Sequence, residues 1–185
     1  MKERCALLII DMINPFDFDD ADKLLPDAKN CAKAIANLKA ILRAKEWPII
    51  YVNDNYGDWQ SEFTQVYNHI VNNRLPGAPI AKLLAPDTED YSVLKPQFSG
   101  FFASPLDMLL RELNIQTLIL TGVVGNMCVE FTANDAYMRD YQLLIPKDGF
   151  ACFTEEEYNA SLNHFTTVLK ADVSSSKELQ KRLNR

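Results

Sequence analysis

The sequence predicts an α/β domain built on a mainly parallel sheet. Three observations carry that prediction. Short, almost wholly apolar runs, at Cys5 to Ile10, Pro48 to Val52 and Gln116 to Thr121, have the length and composition of strands buried on both faces. Longer segments with apolar residues at helical spacing alternate with them, the order expected of strand–helix–strand units. Three strands end in polar or small residues, at Asp11, at Lys95 and at Thr121-Gly122. In open α/β sheets the ligand crevice lies beyond such carboxyl ends, at a topological switch point.

Taken in order, the first strand closes on Asp11 and is followed by Asn14-Pro15 and an acidic loop through Asp22. From about Ala28 to Lys45, the spacing of Ala32, Ile35, Leu38, Ile41 and Leu42 predicts a helix. Pro48 to Val52 is the second strand, opening into the polar run Asn53-Asp54-Asn55. Segment 57–86 is mixed: Trp59, Phe63, Val66, Tyr67 and Ile70 suggest a helix, and 72–79 reads as loop. Tyr91 to Leu94 is a short strand, and Pro96 disfavours helix at Lys95. Ser104-Pro105 has the pattern of an N-cap followed by a first helical proline, for a helix to about Leu113. After the strand at Gln116 to Thr121 come a turn over Gly122 to Asn126 and a helix from about Cys128 to Asp140. Gln142 to Pro146 is another strand, and Asp148-Gly149 is a turn. Thr154 and the three glutamates after it form a capping box for a helix to about Lys170. A brief strand near Ala171 to Val173 and a polar helix capped by the serines at 174–176 complete the chain. With no repeat, low-complexity tract or linker, a single domain over 1–185 is expected.

The bulk composition narrows the function. A formal net charge of -6 argues against a broad surface for nucleic acid or anionic lipid, while leaving room for a local basic pocket. No stretch approaches the roughly 20 apolar residues of a membrane span. Lys2 and Arg4 ahead of Ala6 to Ile10 faintly mimic a signal peptide, but the run is short, Asp11 interrupts it and no small-residue cleavage site follows. The expected location is therefore cytoplasmic, with a small molecule as the expected partner. Cys5, Cys31, Cys128 and Cys152 form no C-x-x-C pair and read as reduced thiols. Cys5 and Cys31 fall in apolar patterns as small core residues, and Cys152 reads as inert.

Three unlike reactive groups remain, each at a strand end or helix start. Taken alone, Cys128 is more readily a buried core thiol, Asp11 a loop-capping carboxylate and Lys95 a solvated surface lysine. Cys128, however, opens a helix, where free N–H groups favour a thiolate and are placed to hold an oxyanion. An aspartate to move the proton and a lysine to stabilise both anions would complete the set needed to activate a thiol.

At these residues the sequence resembles the isochorismatase-like cysteine hydrolases. Ala6 to Phe16 is similar to the family's first motif, Val93-Leu-Lys95-Pro to its lysine segment, and Leu120-Thr-Gly-Val-Val-Gly-Asn-Met-Cys128-Val to its nucleophile loop. The three occur in order, and the resemblance spans the chain from first strand to last. The resemblance implies a six-stranded, mainly parallel sheet with helices on both faces and a triad of Asp11, Lys95 and Cys128. It also implies a non-prolyl cis peptide at Val123-Val124, an oxyanion hole from the N–H groups of Val124 and Cys128, and a homodimer or homotetramer. Members mostly hydrolyse C–N bonds of small amides, ureas or carbamoyl compounds through an acyl-cysteine intermediate.

Two departures from family patterns matter. Nicotinamidase members carry an Asp-x-His pair and a further His as a metal site after the second strand; here that region reads Asn53-Asp54-Asn55-Tyr56. No catalytic metal and no cofactor are therefore expected, and nicotinamidase activity is disfavoured. Members that hydrolyse a vinyl ether often lack the cysteine and use the aspartate as acid; the presence of Cys128 favours acyl chemistry and leaves that reaction as an alternative. A non-catalytic α/β binding or scaffold protein is the other alternative. A flavodoxin-like nucleotide binder in particular would need a phosphate cradle after the first strand, where Met12 to Phe16 offers no glycine. Phe16, Asn53 and Trp59, on loops after the first two strands, are the expected substrate contacts.

Overall fold

The computed structural model describes residues 4–184. The first three residues of the N-terminal reading, Met1 to Glu3, and both ends of the expected 1–185 domain lie outside the described residues. The strands are β1 (Cys5–Ile10), β2 (Ile49–Asp54), β3 (Tyr91–Lys95), β4 (Thr117–Val123), β5 (Gln142–Leu144) and β6 (Phe150–Ala151). The helices are α1 (Ala21–Ala44), α2 (Phe63–Asn72), α3 (Ala78–Leu83), α4 (Leu106–Glu112), α5 (Glu130–Tyr137), α6 (Glu155–Thr167) and α7 (Ser176–Leu183). A π turn, Gly125–Val129, joins β4 to α5.

All six strands pair in parallel, in the order β3-β2-β1-β4-β5, with β6 continuing alongside the end of β4. Every residue of β1 and β4 is buried, as their nearly continuous apolar sequence requires of strands covered on both faces. The two faces divide the alternate residues of β1. Cys5, Leu7 and Ile9 enter the core under α1, α2, α3 and α7, together with Leu24, Ile35, Ile70 and Leu179. Ala6, Leu8 and Ile10 enter the core under α4, α5 and α6, together with Leu106, Ala133 and Phe165. The result is the three-layer arrangement that the resemblance implies. No helix among the described residues is long and apolar enough to cross a membrane.

Several element boundaries differ from the sequence expectation. The first helix begins at Ala21 rather than near Ala28 and keeps Pro26 inside it, in its second turn, where the ring nitrogen leaves the Asp22 carbonyl without its i+4 donor. Segment 72–79 is loop only in part, because α3 starts at Ala78 with a proline in its first turn. The brief strand expected near Ala171 is a single bridge between Leu144 and Asp172. Two capping boxes are formed, by Thr154 with Glu157 and by Ser175 with Glu178. Gly149 N–H donates to the Pro146 carbonyl at 2.7 Å in the expected turn, and Asp148 additionally accepts from Ser176 N–H at 2.7 Å to anchor α7.

The junction of β1 and β4 is the topological switch point, since the chain builds outward through β2 and β3 and then returns to the other side of β1. Ile10 pairs with Gly122 there. Gly122 has φ +126°, and a Cβ on it would lie 2.0 Å from the Ile10 carbonyl oxygen. Gly122→Ala is expected to destabilise the fold by about 1–3 kcal/mol, through positive-φ strain and a forced separation of the two central strands. A urea midpoint unchanged from the parent protein would refute that account.

Candidate active site

Asp11 is the first residue beyond β1, with φ 50°. Its N–H donates to the Val52 carbonyl at 3.0 Å, so the residue stays tied to β2 while its side chain turns across the sheet edge. One carboxylate oxygen, Oδ1, accepts from the Asp54 N–H at 2.7 Å. The other, Oδ2, lies 2.8 Å from Lys95 Nζ. Lys95 is the last residue of β3 and its side chain is 0% exposed, so this ion pair is shielded from solvent. The ammonium also lies 3.5 Å from Asp54 Oδ2 and donates to Cys128 Sγ at 3.5 Å. The Cys128 thiol in turn donates to the Asp11 carboxylate. Residues from β1, β3 and the turn after β4 thus meet at one point.

Cys128 sits within the π turn rather than at the first position of α5. Thr132 Oγ donates to its carbonyl at 2.6 Å and accepts from Gly100 N–H at 2.9 Å, joining the turn to the loop after β3. The peptide bond between Val123 and Val124, just ahead of the turn, is cis. Behind the turn, Cys152 Sγ accepts from backbone N–H groups of Asn126 and Gly125. A Cβ on Gly125 would lie 2.5 Å from that sulfur, so the loop and Cys152 are in close packing. No local sequence pattern signals this role for Cys152; it arises because β6 runs beside β4.

The electrostatics follow from burial. Desolvation raises the Asp11 carboxyl above its ordinary value, outweighing the pull of Lys95 and of the hydrogen bonds from Cys128 and Asp54. For Lys95, burial acts to release the proton, but Asp11, Cys128 and Asp54 outweigh it and the pKa is raised. Burial and the neighbouring Asp11 carboxylate push the Cys128 thiol up, against the opposing effect of Lys95. Burial and the nearby Asp11 thus both favour the protonated thiol, beside the Asp11–Lys95 pair. The sequence expectation of a thiolate held by a helix start gives way here, because a buried sulfur facing a carboxylate gains more from keeping its proton than the turn's N–H groups offer.

A cavity of about 330 Å³ opens over the thiol. Asp11, Asp54 and Cys128 form its polar floor, and Phe18, Tyr56 and Phe153 stand in its walls. Val123, Val124 and Met127 contribute the side nearest the π turn. Phe16, Asn53 and Trp59 are not among its lining residues. Phe16 turns into the core, Asn53 is fully buried with Nδ2 donating to the Ile13 carbonyl at 2.7 Å, and Trp59 is 78% exposed on the loop before α2. Phe18 and Tyr56 lie two and three residues from Phe16 and Asn53, respectively, on the loops that sequence reasoning selected. The wall residue Phe153 follows β6, a two-residue strand without a signal of its own. Among the described residues, no group of three or more His, Cys, Asp or Glu side chains is arranged to hold a metal ion.

The isochorismatase domain model matches residues 5–178. The chain belongs to the isochorismatase family. The uncharacterized isochorismatase family protein YaaI of Bacillus subtilis is 41% identical over 174 residues, 94% of this chain and 95% of that protein. The ureidoacrylate amidohydrolase RutB of Cronobacter sakazakii is 30% identical over 173 residues, covering 80% of this chain and 74% of its own. Among solved structures, the N-carbamoylsarcosine amidase of Thermoplasma acidophilum superposes with a TM-score of 0.74 at 26% identity, covering 94% of this chain and 96% of that one. The parallel sheet with helices on both faces is the fold shared with such isochorismatase-family structures.

Proposed function

We propose that this protein is an amidohydrolase-type enzyme that cleaves a C–N bond of a small amide, urea or carbamoyl compound through an acyl-cysteine intermediate. The observation that carries the reading is the meeting of Lys95 Nζ with Asp11 Oδ2 at 2.8 Å and Cys128 Sγ at 3.5 Å beneath a cavity open to a small molecule. The amidohydrolase and amidase relatives support the choice of bond.

In this reading Asp11 takes the thiol proton as Sγ attacks the substrate carbonyl carbon, so the buried thiol ionises only as it reacts. Lys95 offsets the charge on carboxylate and sulfur. The N–H groups of Val124 and Cys128 receive the oxyanion. Collapse of the tetrahedral adduct breaks the C–N bond, and Asp11 returns its proton to the departing nitrogen, leaving a thioester. Water, deprotonated by Asp11, then attacks the thioester; the acid departs and the thiol recovers its proton.

The test is a panel of small amides, ureas and N-carbamoyl compounds, followed by ammonia or amine release and by acid quench with peptide mass spectrometry. Release accompanied by an acyl adduct on the Cys128 peptide is the expected result. Release that persists without any adduct would exclude the covalent route.

A further inference from the structure

The cavity above Cys128 has a charge character that selects among substrates. Its ionisable lining residues besides the thiol and the Tyr56 phenol are Asp11 and Asp54, both acidic, and among the described residues no Lys, Arg or His lines it. The one cation at the site among the described residues, Lys95, lies beneath the floor with its side chain 0% exposed and already faces two carboxylates, at 2.8 Å and 3.5 Å. Two carboxylates against one ammonium leave a formal charge of minus one, and the ammonium is the member that an incoming ligand does not reach.

The walls add to the same character. Phe18 and Tyr56 are 40% and 49% exposed and, with Phe153, present aromatic surface around the acidic floor; the Phe18 and Phe153 rings meet edge to face with centroids 6.3 Å apart. The loop carrying Phe18 also carries exposed Asp17, Asp19 and Asp20, and the last of these pairs with Lys23 at 2.9 Å. Aromatic faces and carboxylates both attract cations, and both disfavour a second anion brought into a partly desolvated cavity.

We infer that the part of the substrate left outside the scissile bond is an organic cation, an amide or carbamoyl compound with an ammonium-bearing tail, and that Asp54 is the residue that selects for it. This deepens, and rests on, the reading of the cavity as the substrate site. It also separates the protein from relatives whose named substrates, a ureidoacrylate and a carbamoylsarcosine, are carboxylates. Asp54 is placed for the task. Its Oδ1 is held by the Tyr56 N–H at 2.6 Å, and its side chain is 32% exposed.

A matched pair of thiol reagents tests the inference without relying on turnover. The 2-aminoethyl and 2-sulfonatoethyl methanethiosulfonates differ mainly in the sign of the tail. With each, the Cys128 sulfur attacks the sulfenyl sulfur, a mixed disulfide forms and methanesulfinate leaves. The rate ratio at Cys128, read by peptide mass spectrometry and divided by the ratio for 2-mercaptoethanol, reports the cavity's charge preference, since the thiol's own reactivity cancels. We expect a normalised preference of about tenfold or more for the cation, compressed by added salt. Asp54→Asn, which retains an acceptor for the Tyr56 N–H, should reduce the preference several-fold. A normalised ratio at or below one in the parent protein overturns the inference, as does a preference that Asp54→Asn and salt both leave unchanged.

Amides of matched size with ammonium, neutral and carboxylate tails then separate the two readings. Highest kcat/KM on the ammonium member supports the inference, and highest kcat/KM on the carboxylate member overturns it. Cation-selective labelling with none of the three cleaved would count against the hydrolase reading alone and leave the charge preference of the cavity standing.

Discussion

Cys128→Ala is expected to retain the fold and lose turnover of an amide substrate by at least about a thousandfold, the scale on which removal of an attacking nucleophile acts. The side chain is small and sits at the floor of an open cavity, so its truncation leaves no large void in the core. Asp11→Asn should lose activity on a similar scale for a different reason. An amide preserves the acceptor for the Asp54 N–H, which lies at 2.7 Å, but it cannot take the thiol proton. Measured together, the two variants discriminate between chemistries. A vinyl-ether hydrolase using Asp11 as acid would lose activity with Asp11→Asn and keep much of it with Cys128→Ala. A protein without catalysis would show no turnover to lose.

The second large effect concerns stability. Lys95→Met keeps the approximate length of the side chain but removes the ammonium from the centre of a buried cluster. Asp11 then keeps its burial and loses its counter-ion, a change that costs about 3–5 kcal/mol when one partner of a buried pair is removed. The pH dependence has a definite sign. Asp11 is already raised above 3.8 by burial, and Lys95 is the leading influence pulling it down, so the variant raises it further. A carboxyl whose folded pKa lies above its unfolded value contributes stability below the unfolded pKa and loses it as pH rises through the folded pKa. The deficit of Lys95→Met relative to the parent should therefore shrink as pH falls from neutral towards about 4. The double variant Asp11→Asn/Lys95→Met should be more stable at neutral pH than Lys95→Met alone. Denaturant midpoints across that range check both statements, and a deficit that grows on acidification would contradict the assignment of Asp11 as the stranded charge.

The parts of the site legible in the sequence are those governed by strand burial. β1 and β4 are covered on both faces, so their apolar runs are nearly unbroken and their polar termini stand out. Asp11, Lys95 and the loop to Cys128 could be picked out for that reason, and the structure brings them within hydrogen-bonding reach of one another. The cavity walls were less legible because each wall residue comes from a different loop. Phe18 and Tyr56 follow β1 and β2, and Phe153 follows β6, so no periodicity links them. Phe16 and Phe18 are two residues apart in one loop, yet Phe16 packs inward against the backbone around Gly77 while Phe18 faces the cavity. The helix α3 is illegible in the sequence because it is only six residues long and carries a proline in its first turn, too short for a helical period to show even though Ala78, Ile80 and Ala81 are buried. The preference for a protonated thiol is likewise a tertiary property, since it depends on a carboxylate that is distant in sequence and adjacent in space.

The order of strands also bears on how the protein acquires activity during synthesis. The sheet grows outward from β1 to β3, and β4 must then return to the far side of β1. Asp11 and Lys95 lie on the part of the chain made first, but the thiol arrives on a segment made later and is backed by Cys152, later still. A ribosome-bound chain that has not yet released β6 lacks the segment that packs behind the nucleophile turn. Pairings this distant in sequence are slow to close. The appearance of a reactive Cys128 on a growing chain would therefore mark the moment at which the topology, and not merely the first half of the sheet, is complete.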